Sequence, residues 1–155
     1  MNNSNIRRAF AFLLSVCLFS GLFNNIRAEA ASYIFRYKEY MTGSKINYNG
    51  TVPDYVIDGS PINTSQTPGI INDRGIAMCN AAVIFKAAGV KVSYSSSEKR
   101  ISFKYNDNTL ILYMNSDKAE FNLEEITAPC ASYRVKYTAS GKLVTFVPSR
   151  FVAET

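Results

Sequence analysis

The chain is 155 residues long, 47 % hydrophobic and 13 % aromatic, with 17 basic against 12 acidic side chains and a formal charge of +5. It contains no histidine, which excludes Ser-His-Asp and Cys-His catalysis and every histidine-based zinc or copper site. Its charges are interspersed rather than clustered, so no nucleic-acid partner is expected.

Residues 1–30 read as an export signal. Arg7 and Arg8 supply a basic start, Ala9 to Phe23 an apolar stretch, and Ala28-Glu29-Ala30 a small-residue cleavage site. The apolar stretch is short of the roughly 20 residues needed to span a bilayer. An uncleaved anchor is the weaker alternative, and no membrane span is expected once the signal is removed. Cleavage after Ala30 leaves 14 basic and 11 acidic side chains, a charge of +3, on a length suited to one domain.

Residues 31–53 are rich in Tyr and Lys and read as a strand, a hairpin or an extended arm. The expected main domain covers 54–155. It opens with Asp58-Gly59 between short apolar runs, a hairpin signal. The clearest helix is Asn80 to Gly89. Ala81, Ile84, Phe85 and Ala88 share one face, Asn80 is the candidate N-cap and Gly89 the candidate C-terminal stop.

Period-two runs follow at Val90 to Tyr94, Ile101 to Tyr105, Ala119 to Leu123 and Tyr133 to Tyr137, with Leu110 to Met114, apolar on both faces, as a central strand and Leu143 to Val147 as the closing one. Turn-length connections make the four runs from Val90 to Leu123 antiparallel neighbours. The predicted fold class is α+β: a curled antiparallel sheet of about five or more strands around one short helix. The expected core is Ile84, Phe85, Val92, Ile101, Phe103, Leu110, Leu112, Phe121 and Phe146.

The C-terminus repeats an earlier pattern. Val147-Pro148-Ser149-Arg150-Phe151-Val152-Ala153-Glu154 aligns with Cys79-Asn80-Ala81-Ala82-Val83-Ile84-Phe85-Lys86 as a strand exit, a cap and a helix with matching apolar positions. The expectation is a second, incomplete helix there, with Ser149 as its cap and Arg150–Glu154 as a structural i,i+4 ion pair. An incomplete repeat would expose a strand edge and a helix face, which makes a strand-exchanged homodimer a candidate assembly.

This pattern resembles the stalk domain of the copper amine oxidase N-terminal type, found in exported proteins of Gram-positive bacteria. That family carries a "DG" hairpin, a first "P-x-R-x-x-x-E-A-x-G-A" helix, a β-meander and a second "V-P-x-R-F-V-A-E". Asp58-Gly59, the helix end Lys86-Ala87-Ala88-Gly89 and above all Val147, Pro148, Arg150, Phe151 and Glu154 carry the likeness. Asn80 stands where the family has proline, and Ala82 where it has arginine. The resemblance implies a structural role for these motif residues. It also implies a non-catalytic module at the cell envelope, spacing or mediating contacts with a wall polymer or another envelope protein. The alternative is the N-terminal fragment of a larger wall enzyme, such as an amidase, with its catalytic domain elsewhere. Copper amine oxidase chemistry needs three histidines on the metal, so the likeness reaches only the oxidase's accessory domain, and no copper or other cofactor is expected.

Remaining side chains offer few sites. Tyr33, Tyr37 and Tyr40 are the candidate ligand surface, because aromatic rings stack on sugars and their segment lacks a strong core pattern. The competing reading is that tyrosine simply suits a half-buried sheet. Cys79 and Cys130 can pair in an exported chain or serve as small core residues. Glu124-Glu125 reads as a solvated turn before it reads as an acid–base pair.

Overall fold

The computed structural model describes residues 34–155; the signal segment and Tyr33 lie outside the described residues. The Tyr- and Lys-rich segment forms a hairpin, β1 (Phe35–Glu39) and β2 (Lys45–Tyr48). A small ribbon follows, β3 (Val56–Ile57) and β4 (Ser60–Pro61). Asp58 and Gly59 between them take φ of 50° and 76°, the left-handed pair that a two-residue hairpin turn favours. Next come β5 (Ile70–Ile71), β6 (Ala77–Asn80) and helix α1 (Ala81–Ala87). A meander of β7 (Lys91–Ser95), β8 (Arg100–Tyr105), β9 (Asn108–Tyr113), β10 (Lys118–Phe121) and β11 (Glu124–Thr127) leads to β12 (Tyr133–Tyr137), β13 (Leu143–Pro148) and helix α2 (Ser149–Glu154).

Two antiparallel sheets carry the architecture. One is six-stranded in the order β2-β1-β12-β13-β6-β5, and the meander forms the other in the order β11-β10-β9-β8-β7. Within the first, Tyr37 of β1 faces Tyr137 of β12, so the basic segment supplies an inner strand. The α+β class holds, and the sheet is curled.

The expected single core is in fact two, because the strands β6 and β13 feed both of their faces. Alternation sends Met78 one way and Cys79 the other, and likewise Phe146 and Val147. Cys79 and Val147 join Ile84, Phe85, Ile101, Phe103, Leu110 and Leu112 in a core between α1 and the meander. Met78 and Phe146 join Tyr37, Val135, Tyr137 and Val144 in a second, aromatic core inside the curled sheet. Phe146 is fully buried and meets the rings of Tyr37, Tyr133 and Tyr137 edge-on at centroid distances of 6.1, 5.8 and 6.1 Å, the arrangement aromatic quadrupoles prefer. Val92 and Phe121 are only partly buried at the border of the first core. Ala88, expected on the apolar helix face, is exposed, because α1 ends one residue earlier and Ala88 serves as its C-cap.

The two copies of the repeat lie side by side. In the β6–β13 pairing, Val147 stands opposite Cys79, Phe146 opposite Asn80 and Pro148 opposite Met78. Residues equivalent in the repeat thus exchange places about the Cys79–Val147 pair, as a local two-fold relation requires. The helices differ at their starts. Asn80 caps α1 by accepting from the Ala82 amide at 3.1 Å, whereas Pro148 occupies that position before α2 and offers no side-chain cap. Ser149 therefore does not cap: it is already helical, and its hydroxyl donates to the Ala77 carbonyl at 3.1 Å, tying α2 to β6.

The meander also runs one strand further than its pattern suggests. Asn122 and Leu123 take φ of 50° and 73° and form the turn, so Leu123 ends in solvent at 92 % exposure. Glu124 and Glu125 begin β11 rather than a turn.

Candidate functional site

Most tyrosines prove to be structural. Tyr37 lies in the aromatic core at 4 % exposure and so offers no ligand surface; burial pushes its phenol up to about 12. The Tyr55 hydroxyl donates to the Met78 carbonyl at 3.2 Å, and that of Tyr137 donates to the Pro68 carbonyl. Tyr48 bonds the backbone of Ile71. Each phenol places its ring in a core and satisfies a main-chain group at the rim.

Tyr40 is different. It is 57 % exposed and sits just past the end of β1, where its amide donates to the Arg134 carbonyl at 2.9 Å. The Arg134 side chain projects from the outer face of β12, since Tyr133, Val135 and Tyr137 take the inner one. There its guanidinium carbon lies 5.2 Å from the ring centroid of Tyr40 and 4.3 Å from that of Tyr94 on β7. Both are within the range of a cation–π contact. This stack spans the seam between the outer face of the six-stranded sheet and the edge strand of the meander.

Two concavities open beside it, and Arg134 and Tyr94 line both. The smaller, about 210 Å³, adds Tyr40, Lys99 and Asn115. The larger, about 640 Å³, adds Lys86, Lys142, Asn63 and Gln66. No Asp or Glu lines either one. Arg134 forms no ion pair among the described residues, and its buried Nε meets no hydrogen-bond partner there. Alternation along β12 already marks Arg134 as outward-facing; what sequence cannot give is that Tyr40 and Tyr94, distant along the chain, close around it.

The other candidates do not converge on a site. Adjacent residues on a strand point to opposite faces, which separates Glu124 from Glu125, and Glu125 is paired with Lys118 at 2.8 Å. Arg150 and Glu154 form their i,i+4 pair at 2.8 Å on an exposed face of α2; Phe151 and Val152 pack partly against the first core. Cys79 and Cys130 are both free and buried. Cys79 belongs to the core beside α1, while Cys130 lies in the aromatic core with its sulfur 3.4 Å from that of Met78. Burial pushes the Cys79 thiol up to about 12, far from a reactive thiolate. A copper centre does not fit this donor set: the chain has no histidine, and among the described residues no three carboxylates or thiols converge. Among those residues, too, no helix is long and apolar enough to cross a membrane.

The described residues thus form a short helix clasped by antiparallel sheets, with an open polar groove beside Arg134. The sequence profile of the copper amine oxidase N-terminal domain matches residues 56–155, and the chain belongs to that family, whose N-terminal domain is a non-catalytic module. No curated protein and no solved structure matches the chain.

Proposed function

We propose that the protein is an exported interaction module that works at the bacterial cell envelope, where it mediates contacts with a wall polymer or another envelope protein. The observation that carries this reading is the Tyr40–Arg134–Tyr94 cluster: a half-buried cation with no ion-pair partner among the described residues, in contact with two tyrosine rings beside an open groove, is a recognition surface. The signal-like residues 1–30 support export, and membership of a non-catalytic domain family supports binding as the role.

The test combines processing with retention. Amino-terminal sequencing of the protein secreted by a Gram-positive host should begin at Ala31. The secreted protein should sediment with isolated cell walls and be released by salt. Full-length protein retained in the cytoplasm, or no retention on walls with or without their anionic polymers, contradicts the proposal.

A further inference from the structure

We infer that the seam lined by Arg134 is the binding site for an anionic glycopolymer, a polyhydroxylated chain carrying a phosphate or carboxylate on each repeat. This assignment names the ligand of the recognition surface described above and rests on that reading. The first argument is charge. The whole chain carries interspersed charges of both signs, yet Lys86, Lys99, Arg134 and Lys142 line the two concavities without a single carboxylate among the lining residues. Such a one-sided wall focuses positive potential into the groove and favours a ligand of opposite sign.

The second argument is what the cations leave available. Contact with the Tyr40 and Tyr94 rings positions the guanidinium without consuming its N–H donors, and while Nε is buried, the terminal N–H groups suit phosphate or carboxylate oxygens. Between the charges stand the hydroxyls of Tyr40, Tyr94 and Ser96 and the amides of Asn63, Gln66 and Asn115, groups that match the donors and acceptors of sugar or polyol hydroxyls. The third argument is shape. The concavities meet at the Arg134–Tyr94 pair, so cations lie on both sides of one ridge and a chain can cross it. A single compact anion would use only one side. Stacked single-stranded nucleic acid needs free aromatic faces, whereas here the rings of Tyr40 and Tyr94 both contact the guanidinium.

The experiment measures binding of the mature full chain to four soluble polymers: poly(glycerol phosphate), polygalacturonate, neutral dextran and single-stranded DNA. Binding to poly(glycerol phosphate), polygalacturonate or both is expected, weakening as salt rises, and the two arms distinguish the phosphate source from the carboxylate source. Arg134→Met should lower affinity at least tenfold. The exposed pair Lys86→Gln with Lys142→Gln should lower it severalfold with an unchanged melting temperature, which keeps the test valid if Arg134→Met folds poorly. Lys118→Gln, distant on the meander, should bind as the parent does. Unchanged affinity in the Lys86/Lys142 variant, equal binding of dextran, or tighter binding of DNA overturns the assignment. Undiminished retention of that variant on whole walls would sink this site while leaving the envelope role intact. Groove-dependent polymer binding with no wall retention would do the reverse.

Discussion

The hydroxyl of Tyr48 on β2 accepts a hydrogen bond from the Ile71 amide on β5 at 2.8 Å, although these are the two opposite edges of the six-stranded sheet. The same oxygen lies 2.6 Å from the Thr51 carbonyl and 3.2 Å from that of Ile71. Curling has brought the edges together, and a phenol closes the ring where backbone pairing does not. Two edge strands that would otherwise offer unpaired groups to another chain are thereby occupied in part.

Tyr48→Phe should therefore cost about 1–3 kcal/mol, because it keeps the ring but leaves the part-buried Ile71 amide without an acceptor. Urea unfolding gives the magnitude, and hydrogen exchange gives the location: Ile71 should lose protection while Phe103 in the other core keeps it. Equal exchange at Ile71 in both proteins would show that the closure is not stabilising. A second variant reads the same contact sterically. A Cβ added at Gly50 would sit 2.7 Å from the Tyr48 hydroxyl and 2.9 Å from its Cζ, so Gly50→Ala should be damaging in the parent and only partly less so in the Tyr48→Phe background, which keeps the ring.

High pH should unfold the protein cooperatively. Burial pushes the Tyr37 phenol and the Cys79 thiol up to about 12, from ordinary values of 10 and 9, and raises the phenols of Tyr55, Tyr133 and Tyr137 as well. A group whose folded pKa is raised holds its proton more tightly when folded. Its stabilisation is complete below the unfolded value and disappears as pH climbs through the folded one. Stability should thus be flat below pH 9 and fall between about 9 and 12. Tyrosinate absorbance and loss of β-sheet circular dichroism should rise together in that window. Independent titration of these phenols with the sheet intact would refute the account.

The difference between the two halves of this fold is one of range. The Asp58-Gly59 turn, the Asn80 cap and the strands β7 to β9 follow from residues close in sequence, with the periods of 3.6 and 2 that those elements impose. Sequence separation hides the rest. Nothing local in Phe35 to Tyr48 reveals that it pairs with β12, so its tyrosines are equally consistent with an exposed surface and a core. Tyr37 and Tyr40, three residues apart, take those two fates because one falls within β1 and the other just past its end. Leu123 misleads for a different reason: it continues an alternating pattern, yet the backbone has already turned.

That turn makes a prediction with an unusual sign. Leu123 holds φ of 73°, a conformation costing a non-glycine residue about 1–2 kcal/mol, and its exposed side chain contributes little burial in return. Leu123→Gly should therefore stabilise the domain by roughly 0.5–1 kcal/mol, the extra freedom of glycine in the unfolded chain offsetting part of the relief. A lower melting temperature would mean that Leu123 makes a contact on which the meander depends.

Asn80 makes two contacts at the start of α1 that a single side chain supplies. Its carbonyl oxygen caps α1 through the Ala82 amide, and its amide nitrogen donates to the buried Thr67 hydroxyl at 3.0 Å. One side chain thus starts the helix and anchors the loop before β5. Asn80→Ala should cost about 2 kcal/mol, near 1 for the cap and the remainder for the stranded Thr67. Asn80→Ala combined with Thr67→Val should recover part of the loss, since removing both partners spares the unpaired group. Additive losses in the double variant would show that the two residues do not act through each other.

The cysteines allow a test of which face each strand residue occupies. Met78 and Cys79 are neighbours on β6 and must point to opposite sides of the sheet. Cys130 contacts Met78, so it stands on the side that Cys79 does not face, and a Cys79–Cys130 bond would require β6 to rotate out of its ladder. Protein exported into an oxidising medium should consequently keep both thiols, unreactive towards a thiol reagent when native and fully reactive in denaturant. Its melting temperature should not change on adding a reductant. A disulfide-linked peptide containing both cysteines, recovered from natively folded protein, would require a different path for residues 128–132 and would remove the division into two cores.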